Sequence, residues 1–169
     1  MKQAEMLLKK EEQVIFSLRA LFEQYGYKKF KMSKFEEYDF YADNRSFLSS
    51  ENILTFTGLD GKLLALKPDV TLSIVKNTKG SRENAERVYY NENVYRESKK
   101  AGGFSEIMQT GIECMGDITD NDVCDVIILA ARSLYAISEK YVLDISHLGL
   151  LSGIFNAMEL NASNKTELL

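Results

Sequence analysis

The stretch from Arg87 to Gly116, RVYYNENVYRESKKAGGFSEIMQTGIECMG, constrains the fold more than any other. Its β-branched and aromatic residues read as strands at about 87–91 and 93–97, a loop at 98–105, and a longer strand from Glu106 to Met115. Strands joined by such short links pair antiparallel. Side chains alternate across a strand with period two. Met108, Thr110, Ile112 and Cys114 therefore face an apolar layer, and Gln109, Gly111 and Glu113 face the other way.

The remaining elements fit around this hairpin. Leu7, Val14, Ile15, Leu18 and Phe22 recur at helical spacing and predict a helix from about Ala4 to Tyr25, with Gly26 as its stop. A short strand is expected at 29–32, then a polar and aromatic connection with a helical turn through 35–50. Asn52–Thr57 and Lys62–Leu66 form a hairpin whose turn is Leu59-Asp60-Gly61, since an Asp-Gly pair accepts positive φ. Pro68 ends that strand, and Asp69 can cap a helix running to about Asn77. A loop at 79–81 follows. A helix from Asp122 to Lys140, capped by Asp120-Asn121, carries a stripe of Val123, Val126, Ile127, Ala130, Leu134 and Ile137. Val142–Ile145 is expected as a short buried strand and Leu148–Leu160 as a last helix. The class is α+β: a mostly antiparallel β-sheet flanked by helices.

Composition narrows the function. With 169 residues the chain can hold a real core. A net charge of -4 gives no electrostatic pull toward nucleic acid or an anionic membrane. No apolar run is long enough to span a bilayer, and the charged start MKQAEMLLKKEEQ does not read as a signal peptide. Two cysteines, Cys114 and Cys124, make neither a disulfide framework nor a metal set, so a reducing, cytoplasmic setting is expected. With one histidine and no Cys/His cluster, neither a metal nor a cofactor is expected. His147, at a helix start, reads as a cap or a packing residue.

Two segments can carry chemistry. On the face of the 106–115 strand that holds Gly111, Gln109 and Glu113 stand about 13 Å apart at about 3.3 Å per residue. Gly111, between them, leaves an open floor against which a small ligand can lie. Glu113 can receive an ammonium group, Gln109 can donate or accept, and Arg96 can offer a planar fork to a carboxylate or phosphate. A one-sided polar sheet with no ligand fits the same pattern. The second segment, Ala65-Leu66-Lys67-Pro68-Asp69-Val70-Thr71, runs from a strand into a helix start. It places Asp69 and Thr71 either at the mouth of a site or in a plain helix cap.

Together these segments resemble the class II aminoacyl-tRNA synthetase core, in its histidyl-tRNA synthetase branch. That family's Leu-Arg-Pro-Glu-x-Thr turn matches Leu66-Lys67-Pro68-Asp69-Val70-Thr71. Its motif 2 matches Tyr95-Arg96-Glu97-Ser98, then the loop, then Gln109-Thr110-Gly111-Ile112-Glu113. Gly26-Tyr27 fits the family's opening. The resemblance covers essentially the whole chain, 1–169, as the motif 1 and motif 2 regions, and implies that motif 3 lies beyond Leu169.

The departures are specific. Ser98 replaces the motif 2 glutamate that helps hold ATP, Gly103 and Ser105 stand where arginines are usual, and Ser33 replaces the motif 1 proline. The pattern is similar to the regulatory subunit of ATP phosphoribosyltransferase, a silent synthetase paralogue, in its Pro-Asp-x-Thr form and its Asn93-Val94-Tyr95-Arg96 run. That resemblance implies a non-catalytic protein of histidine biosynthesis that binds histidine as an allosteric effector through Asp69, Thr71, Arg96, Gln109 and Glu113. It implies pairing with the catalytic subunit of ATP phosphoribosyltransferase, in a homodimer or a larger hetero-oligomer. The alternative is a fragment of a histidyl-tRNA synthetase, which would activate histidine with ATP and use Arg96 to steady the α-phosphate.

Overall fold

The structure is a computed structural model that describes residues 8–48, 52–78, 85–98 and 102–158. It divides into two units, residues 1–139 and 140–169.

In the first unit the 87–116 segment forms one long hairpin. Strands β5 (Glu86–Ser98) and β6 (Gly103–Met115) pair antiparallel through thirteen unbroken residue pairs, from Glu86↔Met115 to Ser98↔Gly103. The break expected at Glu92 does not occur. The side chains of Asn91, Glu92 and Asn93 each find a partner: Thr110 Oγ1 donates to Asn91 Oδ1, Asn93 Nδ2 donates to Glu106 Oε1, and Glu92 pairs with Lys67. A strand can carry polar residues through its middle when each one is bonded. The loop is also shorter than expected, because residues 103–105 belong to β6. The short β1 (Lys28–Lys29) adds parallel to β5, giving the order β1-β5-β6.

Two helices cover one face of this sheet. Helix α1 (Lys10–Gln24) buries Leu18 and Phe22 against Tyr27, Tyr89 and Leu129, the last from α4 (Asp120–Ile137). The expected start of α1 at Ala4 lies outside the described residues. Gly26, at φ +80°, ends α1 as its position predicted. The cap of α4 is Thr119, not Asp120-Asn121. Thr119 accepts from the Asp122 amide, and the Asp122 carboxylate accepts from the Thr119 amide, a reciprocal capping box. The buried line of α4 runs through Asp122 and Leu129, whereas Val123, Ile127 and Ile137 are exposed. Apolar residues surround most of this helix, so periodicity fits several stripes equally well.

A second sheet, β2-β4-β3, lies beside the turn into the site. Its strands are β2 (Phe35–Glu37), β3 (Thr55–Thr57) and β4 (Leu63–Leu66), all antiparallel, with Gly61 in the expected turn at φ +81°. Helix α2 (Tyr38–Asp43) follows β2, and its Tyr41 is buried with Ala65 and Leu72. Helix α3 (Thr71–Asn77) packs on the sheet face opposite α1, where Val70 and Ile74 join Val88 and Val94.

In the second unit α5 (Leu148–Ala157) is capped by His147, whose Nδ1 accepts from the Leu150 amide at 3.0 Å, the capping role its position predicted. The strand expected at 142–145 is absent. That segment is irregular, with Val142 80% and Ile145 64% exposed. A β-prone run of four residues becomes a strand only when it pairs with another strand, and this run pairs with none of the described strands. Residues 79–81, Lys99-Lys100 and the expected end of α5 at Leu160 lie outside the described residues.

Candidate functional site

Ladder parity decides what shares the face of the hairpin opposite α1. Val88, Tyr90, Glu92, Val94 and Arg96 of β5 stand opposite Glu113, Gly111, Gln109, Ile107 and Ser105 of β6. The unbroken β5 is what brings Arg96 and Glu113 to one face, since a break at Glu92 would release their relative parity.

The turn after β4 delivers the rest. Lys67 donates its backbone N–H to Lys34 O at 3.1 Å and accepts from Tyr95 N–H at 2.9 Å, which ties the second sheet to β5. Pro68 follows, and Asp69 Oδ1 accepts the Leu72 amide at 3.0 Å. Asp69 therefore is a helix-cap residue, and its other oxygen still faces the sheet. Arg96 Nε donates to Pro68 O at 2.8 Å, and its Nη2 lies 3.4 Å from Asp69 Oδ2. Thr71 Oγ1 donates to Glu113 Oε1 at 2.6 Å.

Four of the five residues singled out in the sequence thus meet through direct contacts: Asp69 with Arg96, and Thr71 with Glu113. Gln109 joins them through register, on the same face and opposite Glu92. The expectation of an open floor at Gly111 does not hold. The Tyr90 ring reaches across the ladder and lies over this glycine, so that a Cβ at position 111 would stand 2.5 Å from Tyr90 Oη.

Sequence reasoning also missed the ion pair of Lys67 and Glu92. The Lys67 side chain is fully buried, and its Nζ lies 2.9 Å from Glu92 Oε2. A buried ammonium needs such a partner, because an unpaired charge in this place costs several kcal/mol.

These pairings leave one carboxylate without a cation. Arg96 answers Asp69 and Lys67 answers Glu92, while among the described residues Glu113 has only the Thr71 hydroxyl. Burial pushes the Glu113 carboxyl above its ordinary range, and the charge of Asp69 adds to this, while the Thr71 hydrogen bond pulls it back. Such a group gains most from an incoming cation. An apolar cleft of about 720 Å³, lined by Leu18, Met108, Ile112 and Leu134 among others, opens on the opposite, helix-covered face. Its lining also includes Lys10, Glu11, Thr110 and Ser133, and none of the five residues singled out in the sequence lines it.

A long antiparallel hairpin, backed by helices and fed with charged side chains by a strand-to-helix turn, is a synthetase-type α+β core. The chain belongs to the histidyl-tRNA synthetase family, whose model matches residues 4–169. It is 31% identical over 159 residues to a histidine–tRNA ligase of Methanocaldococcus jannaschii, covering 90% of this chain and 38% of the relative. It is 32% identical over 147 residues to an ATP phosphoribosyltransferase regulatory subunit of Caldanaerobacter subterraneus subsp. tengcongensis, covering 84% and 38%. The fold is similar to that of a Bacillus halodurans protein described as an ATP phosphoribosyltransferase regulatory subunit/histidyl-tRNA synthetase, with a TM-score of 0.61 at 23% identity over 74% of this chain and 33% of that one. It is also similar to a histidine–tRNA ligase subunit of Alicyclobacillus acidocaldarius, with a TM-score of 0.58 at 29% identity over 73% and 36%. The chain spans less than half the length of these relatives. Among the described residues no helix is long and apolar enough to cross a membrane.

Proposed function

We propose that this chain is the histidine-sensing part of an ATP phosphoribosyltransferase regulatory subunit, a non-catalytic member of its family. The observation that carries this reading is the division of charge on the hairpin face. Glu113 is the carboxylate beside Asp69 and Arg96 that has no cation of its own among the described residues, placed to receive a ligand's ammonium group. Arg96 is held by Pro68 and Asp69, with two of its five donors engaged, and so is turned toward the turn and α3 rather than toward the 98–105 end of the hairpin. Its remaining donors suit the ligand carboxylate. Gln109 orients the ligand further along the face, and Thr71 fixes the Glu113 carboxylate.

The nucleotide end supports the same reading. Ser98 and Ser105 lie at the loop end of the hairpin, where the family's ATP-holding side chains are charged. A neutral serine contributes little to a triphosphate. Histidine acts as an effector only if it binds two assembly states unequally. The catalytic subunit of ATP phosphoribosyltransferase is the proposed partner, by analogy with the named relatives. The second reading, a portion of a histidyl-tRNA synthetase, is favoured by one observation: the ligase of Methanocaldococcus jannaschii is as similar to this chain as the regulatory relatives are.

Calorimetric titration of the intact protein with histidine, with and without ATP, separates the two. Histidine binding that forms no adenylate when ATP is added is the expected result. Adenylate formation would transfer the assignment to the ligase reading. Glu113→Gln should abolish histidine binding while leaving the circular dichroism spectrum unchanged.

A further inference from the structure

The helix-covered face of the hairpin holds two adjoining recesses, away from the Glu113 site. The larger is the apolar cleft of about 720 Å³. One stripe of α1, from Lys10 through Val14 and Leu18 to Phe22, lines it over about 18 Å at about 1.5 Å per residue. Met108 and Ile112 of β6 and Leu134 and Ile137 of α4 complete its apolar lining. The smaller, of about 170 Å³, lies against the same helix and shares Ile15, Phe22 and Thr110 with the first.

The smaller recess is polar and cationic. Arg19, Lys29 and Asn91 line it. The parallel register Lys29↔Tyr89 sets Lys29 on this face, and among the described residues no carboxylate pairs with it. Arg19 gives one of its five donors, Nε, to Glu23 at 3.0 Å. Asn91 accepts from Thr110 through Oδ1, which leaves its amide nitrogen as a further donor. Glu23 also takes the Tyr89 hydroxyl and lines neither recess. The chain carries a net charge of -4, yet the charged residues lining the two recesses are three cations, Lys10, Arg19 and Lys29, and one acid, Glu11. The Ser133 hydroxyl, in the lining of the cleft, is buried with no partner among the described residues. Buried polar groups are generally paired, so an unpaired hydroxyl beside a cleft suits a polar atom of a ligand. The Tyr27 hydroxyl is unpaired too, but it lines neither recess.

We propose that this face is a binding site for a medium-chain amphipathic carboxylate, whose apolar chain lies in the cleft and whose head group meets Arg19 and Lys29. The proposal is independent of the amino-acid reading of the Glu113 face. A largely apolar cleft of this size with a few polar groups at its margin has the form of a small-molecule site. Each methylene removed from water there adds affinity, and the two cations select the sign of the head group. A cationic amphiphile would bury the same chain and bring the wrong charge.

The test is calorimetric titration of the intact protein with decanoate, octanoate and decylammonium, all below their micellar range. Decanoate should bind. Octanoate, with two fewer methylenes to bury, and decylammonium, with the opposite charge, should each bind about tenfold more weakly. Lys29→Glu, a change at an exposed residue, should weaken decanoate about fivefold and narrow its preference over decylammonium. Leu134→Trp fills the cleft and should abolish decanoate binding, with the thermal midpoint reporting whether the fold survives. Equal affinity for decanoate and decylammonium in the wild type would overturn the proposal, as would the wild-type preference in Lys29→Glu, or decanoate binding unchanged in a folded Leu134→Trp protein. A wild type that binds no decanoate overturns it as well. If that protein sediments as a dimer that Ile137→Asp converts to a monomer, the cleft belongs to a second copy of the chain.

Discussion

Tyr89 and Tyr90 are neighbours in β5 and live in different environments. Tyr89 points into the helix-covered face, 2% exposed, packed on Phe22 and bonded to Glu23. Tyr90 points to the opposite face, among Asp69, Arg96 and Glu113. The first face is an apolar core with occasional polar ties, and the second joins the smaller cluster of Val70, Ile74, Val88 and Val94 to a set of charges. One strand thus sorts its residues between two environments by parity alone. A single-residue slip in register would exchange the two sets.

That separation can be attacked from both sides. Leu129, fully buried beneath the helices, belongs to the first face, and Leu129→Ala should cost about 3 kcal/mol by urea unfolding while histidine affinity survives. Loss of binding in a folded Leu129→Ala protein would show that the faces are not independent. Glu92→Gln strips the fully buried Lys67 ammonium of its counter-charge and should cost about 2 kcal/mol. The double change Lys67→Met with Glu92→Leu should recover most of that loss, and a double variant as unstable as the single one would refute the ion-pair explanation. Thr119→Ala removes the cap of α4 and should cost about 1 kcal/mol, with no effect on the Glu113 face.

The smallest effect is also the most diagnostic. Because the Glu113 carboxyl titrates above its ordinary range, the folded protein keeps a proton there that the unfolded chain has released. Stability from this group is therefore greatest at low pH and falls as pH rises from the ordinary carboxylate range through the raised value. Glu113→Gln should remove that decline and raise the ligand-free thermal midpoint slightly at neutral pH, even as histidine binding is lost. A lowered midpoint would mean that the carboxylate stabilises the fold. Asp122 has the opposite sign: hydrogen bonds from Thr119, then Arg87 beside it, hold its carboxyl well below the usual range, and its contribution is lost as pH falls. The two faces should thus show opposed pH slopes.

Much of this was legible in residue order. The Asp60-Gly61 turn, the Asp69 cap and the Gly26 stop all stand where local chemistry put them, because each depends on a few adjacent residues. The shared face of Gln109 and Glu113 followed from period two. What escaped were contacts set by distant segments. The continuity of β5 through Asn91-Glu92-Asn93 depends on Thr110, Lys67 and Glu106. The occupied floor at Gly111 depends on a cross-strand register that no single strand reveals. The buried line of α4 depends on which side α1 covers, and β-propensity at 142–145 did not by itself make a strand.

Lys67 has a further consequence, in exchange and unfolding. Its N–H is held by Lys34, beside the second sheet, and its carbonyl by the Tyr95 amide of β5. Neither sheet can open at this point without breaking a bond to the other. The amides of Lys67 and Tyr95 should therefore exchange with solvent as slowly as those inside the long ladder, and should lose protection in the same event. A residue outside every regular element would then report the cooperative unit joining the two sheets.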